Sequence, residues 1–112
     1  MTISRVYRGI SASGSPVITV VDKHVYEGNA INGSPLYTIF GRFLYKGIAI
    51  SGSPLANISG NHIYKGFSSA GSPLATIVGN KSYEGIATAG APVATVSDGN
   101  VEALMAGTYH LL

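Results

Sequence analysis

The residue this chain repeats most regularly is a tyrosine: Tyr7, Tyr26, Tyr45, Tyr64 and Tyr83 lie 19 residues apart. A phenol can lay its ring on a ligand and offer its hydroxyl, so five phenols in equivalent places make a candidate binding set. Thr38, Asn57 and Thr76, with Thr19 and Thr95 at the same place in other copies, form a second polar set able to hydrogen-bond a sugar or another small polar molecule. Both sets have a structural role competing with the functional one. Each tyrosine can pack over its own glycine, and threonine is an ordinary β-branched strand residue. The candidate ligand-binding residues are therefore Tyr7, Tyr26, Tyr45, Tyr64, Tyr83, Thr38, Asn57 and Thr76.

Catalysis is not expected. His24 and His62 share the last position of their repeats, but Phe43, Lys81 and Asn100 hold it elsewhere, and a symmetric metal site would need more of the copies. The serine of Gly-Ser-Pro recurs in four copies without a paired base, which suits a turn better than one activated nucleophile. The five carboxylates, Asp22, Glu27, Glu84, Asp98 and Glu102, form no pair suited to general acid–base work. No metal and no cofactor are expected.

Composition narrows the partners. Charged residues make up only 11% of the 112, against roughly 25% in a typical domain. The net charge of +2 is spread without a basic block, which disfavours a nucleic-acid polymer. Without cysteine there is no disulfide framework, and stability must come from packing and backbone pairing. The first residues, Met1 to Arg5, lack the pattern of a secretory signal, so a cytoplasmic location is the default expectation.

The elements that must position these residues follow from the repeat. Five units run over residues 6–24, 25–43, 44–62, 63–81 and 82–100, within one domain of residues 1–112. Each opens on the tyrosine strand, which carries a glycine at position 9, 28, 47, 66 or 85, where a bend, a bulge or a close approach of neighbouring backbones is expected. Gly-Ser-Pro (Gly-Ala-Pro in the last unit) then makes a turn, and proline, which cannot donate to a ladder, stands at the entry to the next strand. A short β-branched run follows, closed by tight-turn residues such as Gly60-Asn61 and Gly79-Asn80. Val20, Ile39, Ile58, Ile77 and Val96 are the expected core. Arg8, Glu27, Lys46, Lys65 and Glu84, next to the tyrosines, are expected on a solvated exterior.

This pattern predicts an all-β, pseudo-symmetric closed array or shallow barrel, because closure removes the bare edges that an open ten-stranded sheet of low charge would present. A β-solenoid of 19-residue coils is the alternative, disfavoured because a proline in every coil would break its ladders. Residues 101–112 leave the repeat. Two readings stand side by side: a hairpin turned at Ala106-Gly107-Thr108, pairing Tyr109 to Leu112 with Thr2 to Arg5 as a sixth partial petal, or a short helix.

The unit, an aliphatic residue followed by Tyr-x-Gly, four residues, Gly-Ser-Pro-Leu/Val, x-Thr-Ile/Val and Gly-Asn, resembles the β-flower repeats of bacterial and phage proteins. Tyr26, Gly33, Pro35, Leu36 and Ile39 carry the match in the second unit. The resemblance implies hairpin petals around a shallow pseudo-symmetric barrel. It also implies association with membranes or envelopes, with no established ligand. This chain departs in its longer petal and its five clear copies. Tyr-Glu-Gly occurs in MORN repeats too, but their period does not fit. The expected function is a non-catalytic binding or structural module that self-associates, with Ile48, Ile50 and Phe67 available for the interface. The alternatives are a sugar or nucleotide binder and a peripheral membrane module.

Overall fold

Each repeat folds for reasons visible in its turns. The computed structural model describes residues 3–10, 14–48, 50 and 52–112. The tyrosine strands are β1 (Ile3–Arg8), β3 (His24–Glu27), β5 (Phe43–Lys46), β7 (His62–Lys65) and β9 (Lys81–Glu84). The strands after the prolines are β2 (Ile18–Val21), β4 (Tyr37–Phe40), β6 (Ala56–Ser59), β8 (Ala75–Val78) and β10 (Ala94–Val96). Two-residue turns join β2 to β3, β4 to β5, β6 to β7 and β8 to β9. Their first residues, Asp22, Gly41, Gly60 and Gly79, have φ of 58°, 63°, 63° and 65°, the left-handed backbone that primed hairpin turns require.

The glycine two residues after each tyrosine makes the expected bend rather than a bulge, and makes it at the strand's end rather than inside it. Gly9, Gly28, Gly47, Gly66 and Gly85 take φ between 61° and 76°, so each ends its strand and starts an outward petal loop. The tyrosine strands are accordingly short, four residues in β3, β5, β7 and β9. The residue after each proline resumes the ladder, as in Leu36 N–H to Val25 O at 2.6 Å and Leu74 N–H to Ile63 O at 2.6 Å.

The ten antiparallel strands close into a barrel rather than stacking as solenoid coils. The seam repeats the internal register. Thr19 pairs with Tyr26, Thr38 with Tyr45, Asn57 with Tyr64 and Thr76 with Tyr83, and at the closure Thr95 pairs with Tyr7. The first tyrosine strand thus completes the last hairpin, and five units make a full circle without a sixth.

Residues 101–112 decide for the helix: α1 spans Val101–Leu111. Asn100 stands where other units start a tyrosine strand, and its side chain caps the helix by accepting from Ala103 N–H at 3.1 Å. The cap is anchored to β1, because the Ser4 hydroxyl donates to Asp98 Oδ2 at 2.9 Å and accepts from Asn100 Nδ2 at 3.2 Å. The sixth partial petal is therefore corrected. Ala106, Gly107 and Thr108 lie within the helix, and Ile3 to Arg5 pair with β2, while Thr2 lies outside the described residues.

The helix lies inside the ring. Six consecutive residues, Ala103 to Thr108, are buried, which no one-sided packing could achieve at 3.6 residues per turn. Its neighbours are β1, β2, β9 and β10 together with β4 and β6 across the circle. Gly107 lies against Val6, and the Thr108 hydroxyl donates to Ser82 Oγ at 2.7 Å. Ser82 replaces the aliphatic Val6, Val25, Leu44 and Ile63 of the other units, and the polar partner on the helix accounts for the change. The expected core is present: Val20, Ile39, Ile58, Ile77 and Val96 are all buried, joined by Val6, Ile18, Val25, Leu44, Ile63 and the helix residues Leu104 and Met105. The molecule is a disc of 35 × 34 × 20 Å. No described helix is long and apolar enough to cross a membrane.

Candidate functional site

Alternation along the strands places the repeated side chains. Val6, Val25, Leu44, Ile63 and Ser82 face the lumen, so the tyrosine following each of them faces outward. Tyr7, Tyr26, Tyr45, Tyr64 and Tyr83 therefore form a half-buried belt around the circumference and do not converge on the axis. Within the belt Tyr45 packs against Phe43 and Tyr64 against His62, with ring centroids 6.4 and 6.1 Å apart.

The second candidate set lies on the same outer face but is covered. Thr38, Asn57 and Thr76 are almost wholly buried beneath the petals. Thr38 Oγ1 donates to Gly47 O at 2.6 Å, Thr76 Oγ1 to Gly85 O at 2.8 Å and Asn57 Nδ2 to Gly66 O at 2.8 Å. Thr19 and Thr95 make the same bond to Gly28 and Gly9. The expected wet hydroxyl surface is thus corrected: these groups tie down the glycine that opens each petal. Asn57, the one asparagine of the set, also donates to Ser68 O at 2.9 Å, and its buried Oδ1 has no partner among the described residues.

A different cluster occupies one mouth of the barrel. Arg8, Glu27, Lys46, Lys65 and Glu84 share the lumen face with Val6 and its equivalents two residues earlier, so the charged row rings this mouth rather than the outside wall. Their cross-strand partners are Ala94, Ile18, Tyr37, Ala56 and Ala75. Tyr37 is the exception, a large aromatic where other units hold alanine or isoleucine.

The end of the helix meets Tyr37 there. Tyr37 and Tyr109 are edge to face with centroids 5.9 Å apart, and Tyr37 and His110 are also 5.9 Å apart. The Tyr37 hydroxyl and His110 Nδ1 are hydrogen-bonded at 3.0 Å, the donor being set by the imidazole tautomer. Burial, and then the neighbouring Tyr109 hydroxyl, push the Tyr37 phenol above its ordinary pKa. Two open clefts flank these rings. One of about 470 Å³ is lined by Tyr37, Lys65, Leu74, Tyr109, His110 and Leu112. The other, about 310 Å³, is lined by Leu36, Tyr37, Lys46, Leu55 and Tyr109. Of these residues, sequence reasoning had placed Lys46 and Lys65 on a solvated exterior and given Tyr37, Tyr109 and His110 no site role. The available signal was the departure of Tyr37 from its own repeat.

Among the described residues, no three of His, Asp and Glu gather closely enough to hold a metal. His24 and His62 lie in different strands at half-exposed positions of the outer face.

These features define a class: a closed ring of β-hairpin petals around a central helix. The chain belongs to the family described as 6-fold beta flower protein, whose sequence model matches residues 3–106. The expected resemblance is thereby established, and within this family the present chain builds its ring from five petals. No curated protein and no solved structure matches the chain.

Proposed function

We propose that this protein is a non-catalytic binding module that self-associates through its petals. One observation carries the reading. The residue just after the petal-opening glycine is a large, exposed hydrophobe in four of the five units: Ile10 (69% exposed), Ile48 (74%), Phe67 (69%) and Ile86 (76%). Asn29 holds the place in the remaining unit, and Ile31 and Ile50, further along two petals, are exposed as well.

Scattered surface hydrophobes need no explanation, but one apolar position repeated around a ring presents the same contact several times over. With only twelve charged residues in 112, little like-charge repulsion opposes the approach of a second copy. The repeat supports the non-catalytic part, because the serines of Gly-Ser-Pro are exposed petal residues recurring around the circle rather than one activated group.

Sedimentation equilibrium tests the reading. The wild type is expected to exceed the 11.5 kDa monomer at micromolar concentration, and the triple variant Ile48→Ser, Phe67→Ser, Ile86→Ser to sediment as a monomer with unchanged circular dichroism. A wild type that remains monomeric at about 100 μM, weaker than useful self-association at roughly −5.5 kcal/mol, refutes it. Flotation of that monomer with lipid vesicles would assign the petal tips to membrane attachment instead.

A further inference from the structure

We infer that the mouth of the barrel beside Tyr37 is a binding site for a small planar anion, an aromatic or heterocyclic body carrying a carboxylate, sulfonate or phosphate. The site is separate from the petal tips and stands whether or not they self-associate.

Three observations converge on it. The first is a break in the repeat. At the mouth-level position of the post-proline strands the other units hold Ile18, Ala56, Ala75 and Ala94, and only the second unit brings a tyrosine, held in place by Tyr109 and His110 of the helix. A purely structural ring has no need of this substitution, since the units with alanine there bury that position completely. Tyr37 instead stands half-buried between two clefts.

The second observation is charge. Lys46 is the cross-strand partner of Tyr37 and lines one cleft, and Lys65 of the next unit lines the other. Among the described residues neither ammonium has a hydrogen-bond or ion-pair partner. Glu27 shares the second unit with Tyr37 and Glu84 lies in the unit after Lys65, but among the described residues no carboxylate lines either cleft, so the two lysines give the clefts their charge. An unpaired ammonium beside a low-dielectric aromatic wall is a ready counter-charge for an anion.

The third is shape. Volumes of about 470 and 310 Å³ fall at the lower end of small-ligand sites, and the walls combine Tyr37 and Tyr109 with the aliphatic Leu36, Leu55 and Leu74. Ring edges and faces suit a flat body, while lysines on either side suit an anionic substituent.

The test is fluorescence titration of the full chain with 8-anilinonaphthalene-1-sulfonate and, separately, with N-phenyl-1-naphthylamine, which has the same rings without the sulfonate. The sulfonate is expected to bind saturably with one site per chain. Lys46→Ala and Lys65→Ala together should weaken it about tenfold, as losing charge-assisted contacts does, while leaving the neutral amine within twofold. Tyr37→Ala, which installs the residue three other units carry, should weaken both probes. Lys23→Ala, in a hairpin turn away from this mouth, should weaken neither. Far-ultraviolet circular dichroism confirms that each variant is folded. The inference is overturned by absence of saturable binding, by binding indifferent to the lysines and Tyr37, or by binding lost instead in the petal-tip triple variant. A monomeric wild type that still binds in this pattern would refute self-association alone.

Discussion

Replacing Gly107 by alanine tests the placement of the helix within the ring more sharply than any other change. In an exposed helix the substitution would stabilise by about 0.8–1 kcal/mol, because alanine is the better helix former. Here a Cβ at Gly107 would lie 2.3 Å from Val6 Cγ1, 2.8 Å from Val6 Cβ and 3.2 Å from Val6 Cγ2. Carbon atoms pack at about 3.5–4.0 Å, so helix and strand would have to separate by more than an ångström. Val6 cannot yield readily: it is wholly buried, branched at Cβ, and paired with both Ile18 and Val96. Forcing an extra methyl into such a core typically costs about 1–3 kcal/mol, occasionally more, and this contact belongs at the upper end. After the helix gain, a net loss of roughly 2 kcal/mol is expected, or a fall in Tm of about 5–10 °C for a chain of this size. Thermal and urea unfolding of Gly107→Ala, Val6→Ala and the double variant provide the assay. The double variant should be more stable than additivity predicts, by about 0.5–3 kcal/mol, because shortening Val6 makes room for the new methyl. A Gly107→Ala protein that melts above the wild type, or strictly additive effects, would refute the packing of α1 against β1.

Asn57→Thr, which gives the third unit the residue the other four carry, should raise stability by about 1 kcal/mol in urea unfolding, since relief of a buried acceptor outweighs the lost bond to Ser68. Because the folded pKa of Tyr37 is raised, its contribution to stability is complete below the ordinary tyrosine value of about 10 and is lost as pH rises through the folded value. Tyrosinate absorbance should accordingly show a late-ionising component that is missing in Tyr37→Phe, and that variant should keep more of its stability at alkaline pH.

Much of this architecture was legible in the residues. The 19-residue spacing gave the unit, the low charge argued for closure, and the proline argued against stacked coils. Two things were not legible. Alternation told that Tyr26 and Val25 face opposite ways, but both faces of these strands are mostly apolar or hydrogen-bondable, so it could not tell which turns inward. That is settled by the petals folding over Thr38 and its counterparts and by the helix filling the other side. The helix itself was ambiguous because Val101–Leu111 is short and carries Gly107 and Thr108, poor helix formers whose presence makes sense only against Val6 and Ser82. The mouth cluster escaped attention because its members come from separate places in the chain: Tyr37 in one repeat, Lys46 and Lys65 in the two that follow, Tyr109 and His110 outside all of them. Only Tyr37 left a mark, as a mismatch between aligned units.

The seam between β1 and β10 makes the order of synthesis matter. Val6 and its partner Val96 are separated by ninety positions, so at translation rates of about 5–20 residues per second the first strand waits roughly 5–20 s with one edge bare before its mate emerges. The plug that fills the lumen is made later still, and until it arrives the nascent circle has nothing to pack around.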